Sequence, residues 1–226
     1  MILKLSNSLL ILLLLSSCGG GGGGGGSAAG GSSSSTGIRV LHGAIEAAPL
    51  DLVVDNDGVV ATVPFGKMPF GENVGYHELS EGVHAITAYR TKDLAVPLFS
   101  RSLTTDGSQK FTLLLHGDRG QFGLRYNLIS DAVPVVPTGS GLVRLIHGVV
   151  GAASIQSSGS ASVEASFGSA SDFVTVAAGA ANFRLARKAD AATLARAEFV
   201  VEPGRAYSLF VGGEADYLVD LSILDE

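Results

Sequence analysis

Two copies of an arginine–histidine pair are the strongest candidates for chemistry in this sequence. Arg39 and His42 recur as Arg144 and His147 within two similar six-residue runs. In a β-strand, however, residues i and i+3 point to opposite faces. We therefore expect one side chain of each pair to face the core and the other to face solvent, so that the two cannot converge on one substrate atom. Each histidine is then a hydrogen-bonded structural residue at a strand end.

Asp51 and Asp55 form a second candidate, because side chains four apart in a strand project to one face. Paired carboxylates suit a calcium site or a glycosidase. Calcium needs about six to eight oxygen ligands, and the sequence has no D-x-D-x-D-G loop. We favour a solvent-facing edge strand whose charges discourage edge pairing.

His77 and His84 flank Gly82, where a hairpin would bring them near Glu78 or Glu81. A metal site needs three or four ligands of definite geometry, and the matching stretch of the second repeat has neither histidine nor acid. We favour a solvated hairpin and expect no metal and no cofactor. The sequence also lacks a G-x-S-x-G elbow, an H-E-x-x-H motif and a Cys–His pair, so we expect the protein not to be an enzyme.

The single cysteine, Cys18, ends a segment with the features of a secretory signal. Residues 1–17 contain Lys4, seven apolar residues at 9–15 and the small pair Ser16-Ser17 directly before the cysteine. This apolar run is too short for a membrane span, which takes about 20 residues. Leu15-Ser16-Ser17-Cys18 resembles the bacterial lipobox. The resemblance implies cleavage before Cys18, a diacylglycerol on its sulfur and an acylated amino group.

Residues 18–36 read as a tether, because they include eight consecutive glycines followed by a serine-rich run. A Gly/Ser coil of this length spans roughly 25 Å. Gly19 follows the cysteine, and in lipoproteins this implies sorting to the outer membrane. We expect a lipid-anchored outer-membrane protein whose membrane partner is reached through acyl chains. Exposure to the periplasm and to the cell surface both remain open.

Composition limits the remaining partners. The net charge is −6 and the isoelectric point is about 5.3, so the chain offers no basic field for nucleic acid. Hydrophobic residues make up 46% and charged residues 16%, which is enough apolar material for a folded core.

The elements that position these residues come from an internal repeat. The opening runs at 38–43 and 143–148 match, and later landmarks stay in order, among them Phe111-Thr112-Leu113 against Tyr207-Ser208-Leu209. We predict module 1 at 37–131 and module 2 at 141–226. The linker 132–140 contains two prolines, which favour an extended, semi-rigid joint.

Within each module the apolar period is two, as in β-strands. Phe111, Leu113 and Leu115 share one face, and Asp/Asn-Gly turns separate short apolar runs. We predict an all-β protein with two tandem antiparallel β-sandwiches of the Ig-like or Greek-key type after a disordered tether. Ala186 to Ala197 has a helix-like composition, but its counterpart in module 1 contains Pro97, so we predict strand–loop–strand there as well.

One family resemblance covers the chain from Gly37 onward. Arg39-x-x-His42-Gly43, the run 47–55, Phe65-Gly66, Tyr76-x-x-Leu79 and Gly82 resemble the bacterial envelope family called domain of unknown function 4397. The resemblance implies secreted or lipid-anchored proteins that often carry the module in tandem as a β-sandwich. It implies no particular activity.

One loop is the candidate binding surface. Phe65, Lys67, Met68 and Phe70 belong to an apolar, Gly/Pro-rich loop that is much shorter in module 2, and loops on rigid sandwiches often carry function. We predict a non-catalytic envelope binding or adhesion protein with an envelope protein or a glycan as partner. A structural spacer without a ligand and a weak carbohydrate-active enzyme remain as alternatives.

Overall fold

The computed structural model describes residues 36–44, 50–56, 69–90, 93–117 and 123–226. These residues belong to one compact unit that spans residues 33–226. Within the described ranges the regular structure consists of β-strands, and no helix is present. The all-β fold predicted from the alternating pattern is therefore confirmed.

Residues 36–131, here called the first half, contribute seven strands. They are β1 (Thr36–His42), β2 (Leu50–Asn56), β3 (Asn73–Leu79), β4 (Gly82–Arg90), β5 (Asp93–Thr105), β6 (Lys110–His116) and β7 (Arg125–Ser130).

Residues 140–226, the second half, contribute nine strands. They are β8 (Ser140–Val150), β9 (Ser154–Gly159), β10 (Glu164–Ser166), β11 (Ser169–Ala170), β12 (Val174–Ala177), β13 (Gly179–Arg187), β14 (Thr193–Val201), β15 (Ala206–Glu214) and β16 (Leu218–Asp225). Strands β13 and β14 occupy the stretch with helix-like composition, so the strand–loop–strand prediction is confirmed there.

The strands form two sheets in each half. The first half has sheet 1, in the order β3-β1-β6-β7, and sheet 2, in the order β2-β4-β5. The second half has sheet 3, in the order β11-β8-β15-β16 with β12 also paired to β8, and sheet 4, in the order β10-β9-β13-β14. Apart from β10 and β11, the strands of the second half pair in the same order as those of the first.

Each half contains one parallel pair in an otherwise antiparallel arrangement. Strand β1 pairs with β6 and β8 pairs with β15, both in parallel. The registers agree: Arg39 lies opposite Thr112, and Arg144 lies opposite Ser208. Parallel neighbours need a long connection, and the chain provides it by crossing to the other sheet between the paired strands.

Sheets 1 and 3 are covered on both faces. One face of β1 and β6 packs on sheet 2 through a cluster that includes Val40 and Leu113, and sheets 3 and 4 enclose an equivalent cluster. The opposite faces of sheets 1 and 3 meet in a third cluster, formed by Leu41, Leu114, Ile146, Phe210 and Leu224. The result is four β layers, in which sheets 1 and 3 are the inner pair.

Glycine permits the closest approach between the inner sheets. The Gly213 amide donates to the Gly43 carbonyl oxygen at 3.0 Å. A Cβ atom on Gly212 would lie 2.7 Å from the Gly43 Cα. Backbones this close exclude a side chain, so the two halves touch main chain to main chain at this end of the interface.

Candidate functional site

The repeated arginines lie at the interface between the two halves, at the end opposite the glycine contact. Arg39 on β1 and Arg144 on β8 project from the faces of sheets 1 and 3 that meet each other, and they are 3% and 2% exposed. Two carboxylates join them there. Asp131 directly follows β7, and Glu226 directly follows β16.

Each arginine bonds within its own half and across to the other. Arg39 donates from Nε to Thr112 Oγ1 at 2.7 Å and from Nη2 to Glu226 Oε1 at 2.6 Å. The first bond follows from the strand register, which sets Thr112 opposite Arg39. The second crosses to the far half, since Glu226 extends from the end of β16.

Arg144 repeats this pattern in reverse. It donates from Nε to Ser208 Oγ at 2.7 Å and from Nη2 to Asp131 Oδ1 across the interface. Its Nη1 donates to the Ser130 carbonyl oxygen at 3.0 Å, and its Nη2 reaches Glu226 Oε1 at 3.2 Å. Arg39, Arg144, Asp131 and Glu226 therefore form a cross-braced ion quartet, in which each half places an arginine on the other half's carboxylate.

Hydroxyl groups and aromatic rings complete the quartet. Thr112 Oγ1 donates to Asp131 Oδ2 at 2.6 Å, and Ser208 donates to Glu226. Tyr76 donates its hydroxyl hydrogen toward Asp131 Oδ2 at 2.8 Å and Glu226 Oε2 at 3.0 Å. The Arg39 guanidinium also lies 5.0 Å from the Tyr76 ring centroid, a cation–π distance.

The protonation behaviour of the quartet follows from these contacts. Burial raises the pKa of the Tyr76 phenol, and the adjacent carboxylates raise it further against the opposing effect of Arg39. Burial also acts to raise the pKa of Glu226, but Arg39, Ser208 and Arg144 together hold it below its ordinary value. Tyr76 therefore stays neutral and Glu226 stays ionised at neutral pH, where Glu226 acts as an acceptor.

The quartet is suited to holding the two halves together rather than to catalysis. Two positive and two negative charges balance within it, and the hydroxyl donors occupy the remaining carboxylate positions. Removing one partner of a buried ion pair leaves the other charge unpaired and lowers the stability of the protein by roughly 3–5 kcal/mol. The arrangement therefore couples the two halves.

The structure corrects one expectation about the arginine–histidine pairs. The side chains of Arg39 and His42 do point to opposite faces, but both are buried, so the prediction that one of them faces solvent is wrong. The face that alternation assigns to solvent in a single sandwich is covered here by the other half.

The repeated histidines differ in their bonding, so the prediction that each is hydrogen-bonded is confirmed for His147 and wrong for His42. His147 accepts a hydrogen bond at Nδ1 from the Val149 amide at 3.1 Å, and its Nε2 lies 2.9 Å from the Ala152 carbonyl oxygen. His42 is equally buried, yet within the described residues neither of its ring nitrogens has a hydrogen-bond partner. Burial lowers the pKa of both imidazoles to about 4, so both are neutral at pH 7.

His77 and His84 do not share a hairpin. His77 is on β3 in sheet 1, and His84 is on β4 in sheet 2, because the chain crosses between sheets at Ser80 and Glu81. His84 is fully buried, with Nε2 at 2.8 Å from the Ser80 carbonyl oxygen and 3.1 Å from Thr105 Oγ1. The expectation of a solvated hairpin is therefore wrong. Among the described residues no group of three or more His, Cys, Asp or Glu side chains is placed to hold a metal ion.

The aspartate pair lies on β2, which is an edge strand of sheet 2 as expected. Asp51 pairs in register with Tyr89, and Asp55 pairs with Ala85. The Asp51 side chain is half-buried.

The predicted anchor and most of the predicted binding loop, namely Cys18, Phe65, Lys67 and Met68, lie outside the described residues. Phe70 is described, and it is half-buried. A Cβ atom on Gly213 of the second half would lie 3.2 Å from Phe70 Cζ, and the Gly71 amide donates to the His42 carbonyl oxygen at 2.9 Å. This end of the loop therefore packs against β15.

No helix in the described ranges is long and apolar enough to span a membrane.

Sequence reasoning missed the two carboxylates of the quartet. An available signal was the repeat itself, since Thr112 and Ser208 are both hydroxyl residues at matching positions next to the arginines. An acidic residue follows the last strand of each half, Asp131 in one and Glu226 in the other. Polar residues that recur at matching positions of two buried strands indicate a common structural hydrogen-bond partner rather than a catalytic pair.

The model of the family described as domain of unknown function DUF4397 matches residues 36–158. The chain belongs to the DUF4397 family. The DUF4397 match begins with β1 and ends within β9, so it takes in Arg39, Asp131 and Arg144 of the quartet.

Two solved structures resemble the DUF4397 chain distantly. One is the fimbrial anchor protein Mfa2 from Porphyromonas gingivalis, at 10% identity and a TM-score of 0.27, covering 85% of this chain and 97% of that one. The other is the family CBM26 module CBMbc from Eubacterium rectale Amy13K, solved with maltoheptaose, at 12% identity and a TM-score of 0.26 with the same coverages. No curated protein matches the sequence significantly.

The quartet generates a stability prediction. Arg144→Met leaves Asp131 buried without its main cation, so we expect it to lower the free energy of unfolding by about 3–5 kcal/mol in urea titrations. The control is Lys188→Met, which breaks a 2.7 Å ion pair with Glu164 whose side chains are 54% and 43% exposed. It should cost less than about 1 kcal/mol.

A double-mutant cycle then isolates the contact. Asp131→Asn should lower the free energy of unfolding clearly less in the Arg144→Met background than in the native protein. In that background the Arg144 charge, which Asp131→Asn would leave unpaired, is already absent. Additive costs would contradict the cross-bracing.

The histidines generate a pH prediction. The unfolded chain protonates His42 near pH 6.5, whereas the native chain does so near pH 4. The stability linked to neutral His42 is thus complete above pH 6.5 and is lost as the pH falls from 6.5 to 4. His42→Leu should flatten this part of the stability–pH curve and leave the stability at pH 7 unchanged or higher.

His147→Leu is the matched control, since it removes an equally buried ring that is hydrogen-bonded. It should flatten the same window but cost about 1–3 kcal/mol at pH 7, because Val149 and Ala152 lose a partner. Equal losses at pH 7 in the two variants would show that the His42 ring is also bonded.

Proposed function

We propose that this protein is a non-catalytic binding protein of the bacterial envelope, held at the outer membrane by acyl chains on Cys18. It presents two tandem copies of the family domain as one rigid body, and its partner binds to loops and clefts of that body.

The observation that carries this proposal is that the repeated polar residues are buried and hydrogen-bonded at the interface between the halves. Arg39, Arg144, Thr112 and Ser208 are polar side chains at matching positions of the two halves, and all four are buried at the interface. The two arginines bond to the carboxylate of the opposite half. Thr112 and Ser208 each bond to the arginine and the carboxylate of their own half. Side chains with saturated hydrogen bonds and no access to solvent are unsuited to turning over a substrate. They hold a scaffold in a fixed geometry, which is what a binding surface built from loops requires.

The agreement of strand register supports a second copy of the domain. Residues 143–147 on β8 align with 207–211 on β15 as residues 38–42 on β1 align with 111–115 on β6. Long-range pairings as similar as these follow most simply from duplication of one module. The second copy carries two additional short strands, β10 and β11.

The anchor is supported by residues 1–36. A lipobox-like Leu15–Cys18 ends the apolar segment, and the Gly/Ser tether after it is long enough to hold a folded body clear of headgroups. Two or three acyl chains satisfy the requirement for stable attachment, which a single chain does not meet.

The anchor is tested by acylation of Cys18. Cells fed an alkyne-bearing fatty acid should label the native protein, and Cys18→Ser should lose the label and leave the membrane fraction. Ser17→Ala keeps a small residue before the cysteine and should behave as the native protein does. An unlabelled native protein that stays membrane-bound, or a Cys18→Ser variant that stays bound, would contradict the anchor.

The binding function is tested with the mature chain, residues 18–226, immobilised on a column and exposed to solubilised envelope. We expect saturable retention of a component that is reduced at least tenfold by Lys67→Glu with Met68→Ser. Val83→Ser on β4 alters a surface valine that is 61% exposed and should leave retention unchanged. If the loop variant retains the component as well as the native chain does, the loop is not the binding surface. If nothing is retained at all, the binding function fails and the protein fits the spacer alternative.

A further inference from the structure

The first strand and the linker between the halves begin at the same end of the body. Strands β1 and β8 both start there, in parallel register with β6 and β15. The Gly37 amide donates to the Gln109 carbonyl oxygen, and the Asp131 amide donates to the Lys110 carbonyl oxygen, both at 2.9 Å. The start of β1 and the start of the linker 132–140 are therefore neighbours. Because the ion quartet also lies here, we call this the quartet end.

The predicted anchor joins the body at the quartet end, because residues 18–35 directly precede Thr36 at the start of β1. A Gly/Ser coil of this length spans roughly 25 Å. It is long enough to hold the body clear of the headgroups, and it equally permits the quartet end to touch them. A weak attraction is enough to favour contact, since attachment through a short linker gives an effective concentration in the millimolar range.

The linker is the apolar feature of the quartet end. Val135 is 94% exposed and Val133 is 42% exposed. Both prolines of the linker are also exposed, and no charged residue lies between Asp131 and Arg144. Apolar side chains that are exposed next to one another indicate an interaction surface, whereas a single one does not. The linker therefore presents an uncharged apolar surface beside the point where the tether enters.

Hydrogen bonds at both ends hold the linker against the body. The Asp131 amide bond described above fixes its start. At its end the Gly204 amide donates to the Ser140 carbonyl oxygen at 2.9 Å, and the Ser140 amide donates to the Pro137 carbonyl oxygen at 3.1 Å. The two prolines restrict the backbone between these points. Little conformational freedom is therefore lost when the linker binds to a surface.

The charged side chains around the linker limit the kind of surface it fits. Arg205 lies 3.6 Å from the Glu202 carboxylate and 3.3 Å from that of Asp225. The Lys110 ammonium lies 4.8 Å from the Tyr76 ring centroid. Positive charge is not in excess at this end, so anionic headgroups would gain little from it. Apolar contact is the interaction that the quartet end offers to a lipid surface.

We propose that the linker 132–140 is a membrane-contact element, and that its occupant is the lipid surface into which the acyl chains of Cys18 insert. Val133 and Val135 enter the boundary between headgroups and acyl chains, where exposed apolar side chains leave water. The inference rests on the proposed anchor and adds to it the orientation of the body.

Contact at the quartet end sets that orientation. Phe70, the described part of the predicted binding loop, packs near Gly213 at the opposite end of β15. The β15 strand from Ala206 to Gly213 extends over roughly 23 Å at about 3.3 Å per residue. With the linker on the lipid surface, Phe70 lies on the side of the body that faces away from the membrane. The membrane-contact element thus leaves the predicted binding loop accessible to a partner.

The test couples the mature chain, residues 18–226, to phosphatidylcholine vesicles through its single cysteine and a maleimide headgroup. The protein has no Trp, so one introduced indole reports its own proximity to nitroxide-labelled headgroups by fluorescence quenching. Ser108→Trp places this reporter in an exposed turn at the quartet end. Tyr217→Trp places it in the turn between β15 and β16 at the opposite end, where Tyr217 is 77% exposed. We expect at least about threefold stronger quenching of the Ser108→Trp reporter, because the length of β15 separates the two ends by more than ~20 Å.

Two matched double variants assign the quenching to the linker. Val133→Asp with Val135→Asp should lower the quenching of the Ser108→Trp reporter to that of the opposite end. Val96→Asp with Leu218→Asp adds the same charge to side chains that are 66% and 48% exposed and lie away from the linker, and it should leave the quenching unchanged. Equal quenching of the two reporters, or quenching that persists in Val133→Asp with Val135→Asp, would overturn the proposal.

The outcome is separable from that of the acylation experiment, because the vesicles supply the attachment chemically. If Cys18 is acylated in cells but the Ser108→Trp reporter is not quenched, the anchor stands and the membrane-contact element fails. If the reporter is quenched but fatty-acid labelling fails, the lipid contact stands and the anchor fails. If Val133→Asp with Val135→Asp leaves the quenching unchanged but abolishes retention on the column, the linker contacts the retained component, and the lipid proposal is overturned.

Discussion

The cross-bracing between Arg39 and Glu226 and between Arg144 and Asp131 is the constraint on which the rest of the molecule depends. Each arginine is buried beside the apolar residues that join the inner sheets, and its charge is tolerable because the opposite half supplies a carboxylate. Apolar packing through Leu41, Leu114 and Phe210 is not directional, so it brings the inner sheets together without defining their relative placement. The quartet at one end and the main-chain contact at the other define it.

This placement also creates the surfaces where a ligand could bind. An open depression beside β7 is lined by residues of both halves, and Phe70 of the predicted binding loop packs on β15 of the second half. A change in the angle between the halves would alter both. Rigidity of the joint is therefore part of the proposed binding function, and it explains why the repeated polar residues are committed to the interface.

The sequence was sufficient to predict the all-β fold, because alternation and turn residues are local signals. It predicted opposite faces for Arg39 and His42, and this geometry holds. It could not show that the second face of β1 is covered, since burial of that face depends on contacts about 100 residues apart in the chain. For the same reason Asp131 and Glu226 did not stand out. Their position after the last strand of each half is visible in the sequence, but their ion pairs are formed only where the two halves meet.

The central claim is that the two halves form one cooperative body. Scanning calorimetry of the mature protein tests it most directly. The account predicts a single reversible transition in which the van't Hoff enthalpy equals the calorimetric enthalpy. Two transitions, or a van't Hoff enthalpy near half the calorimetric value, would show that each half unfolds independently and would contradict the account.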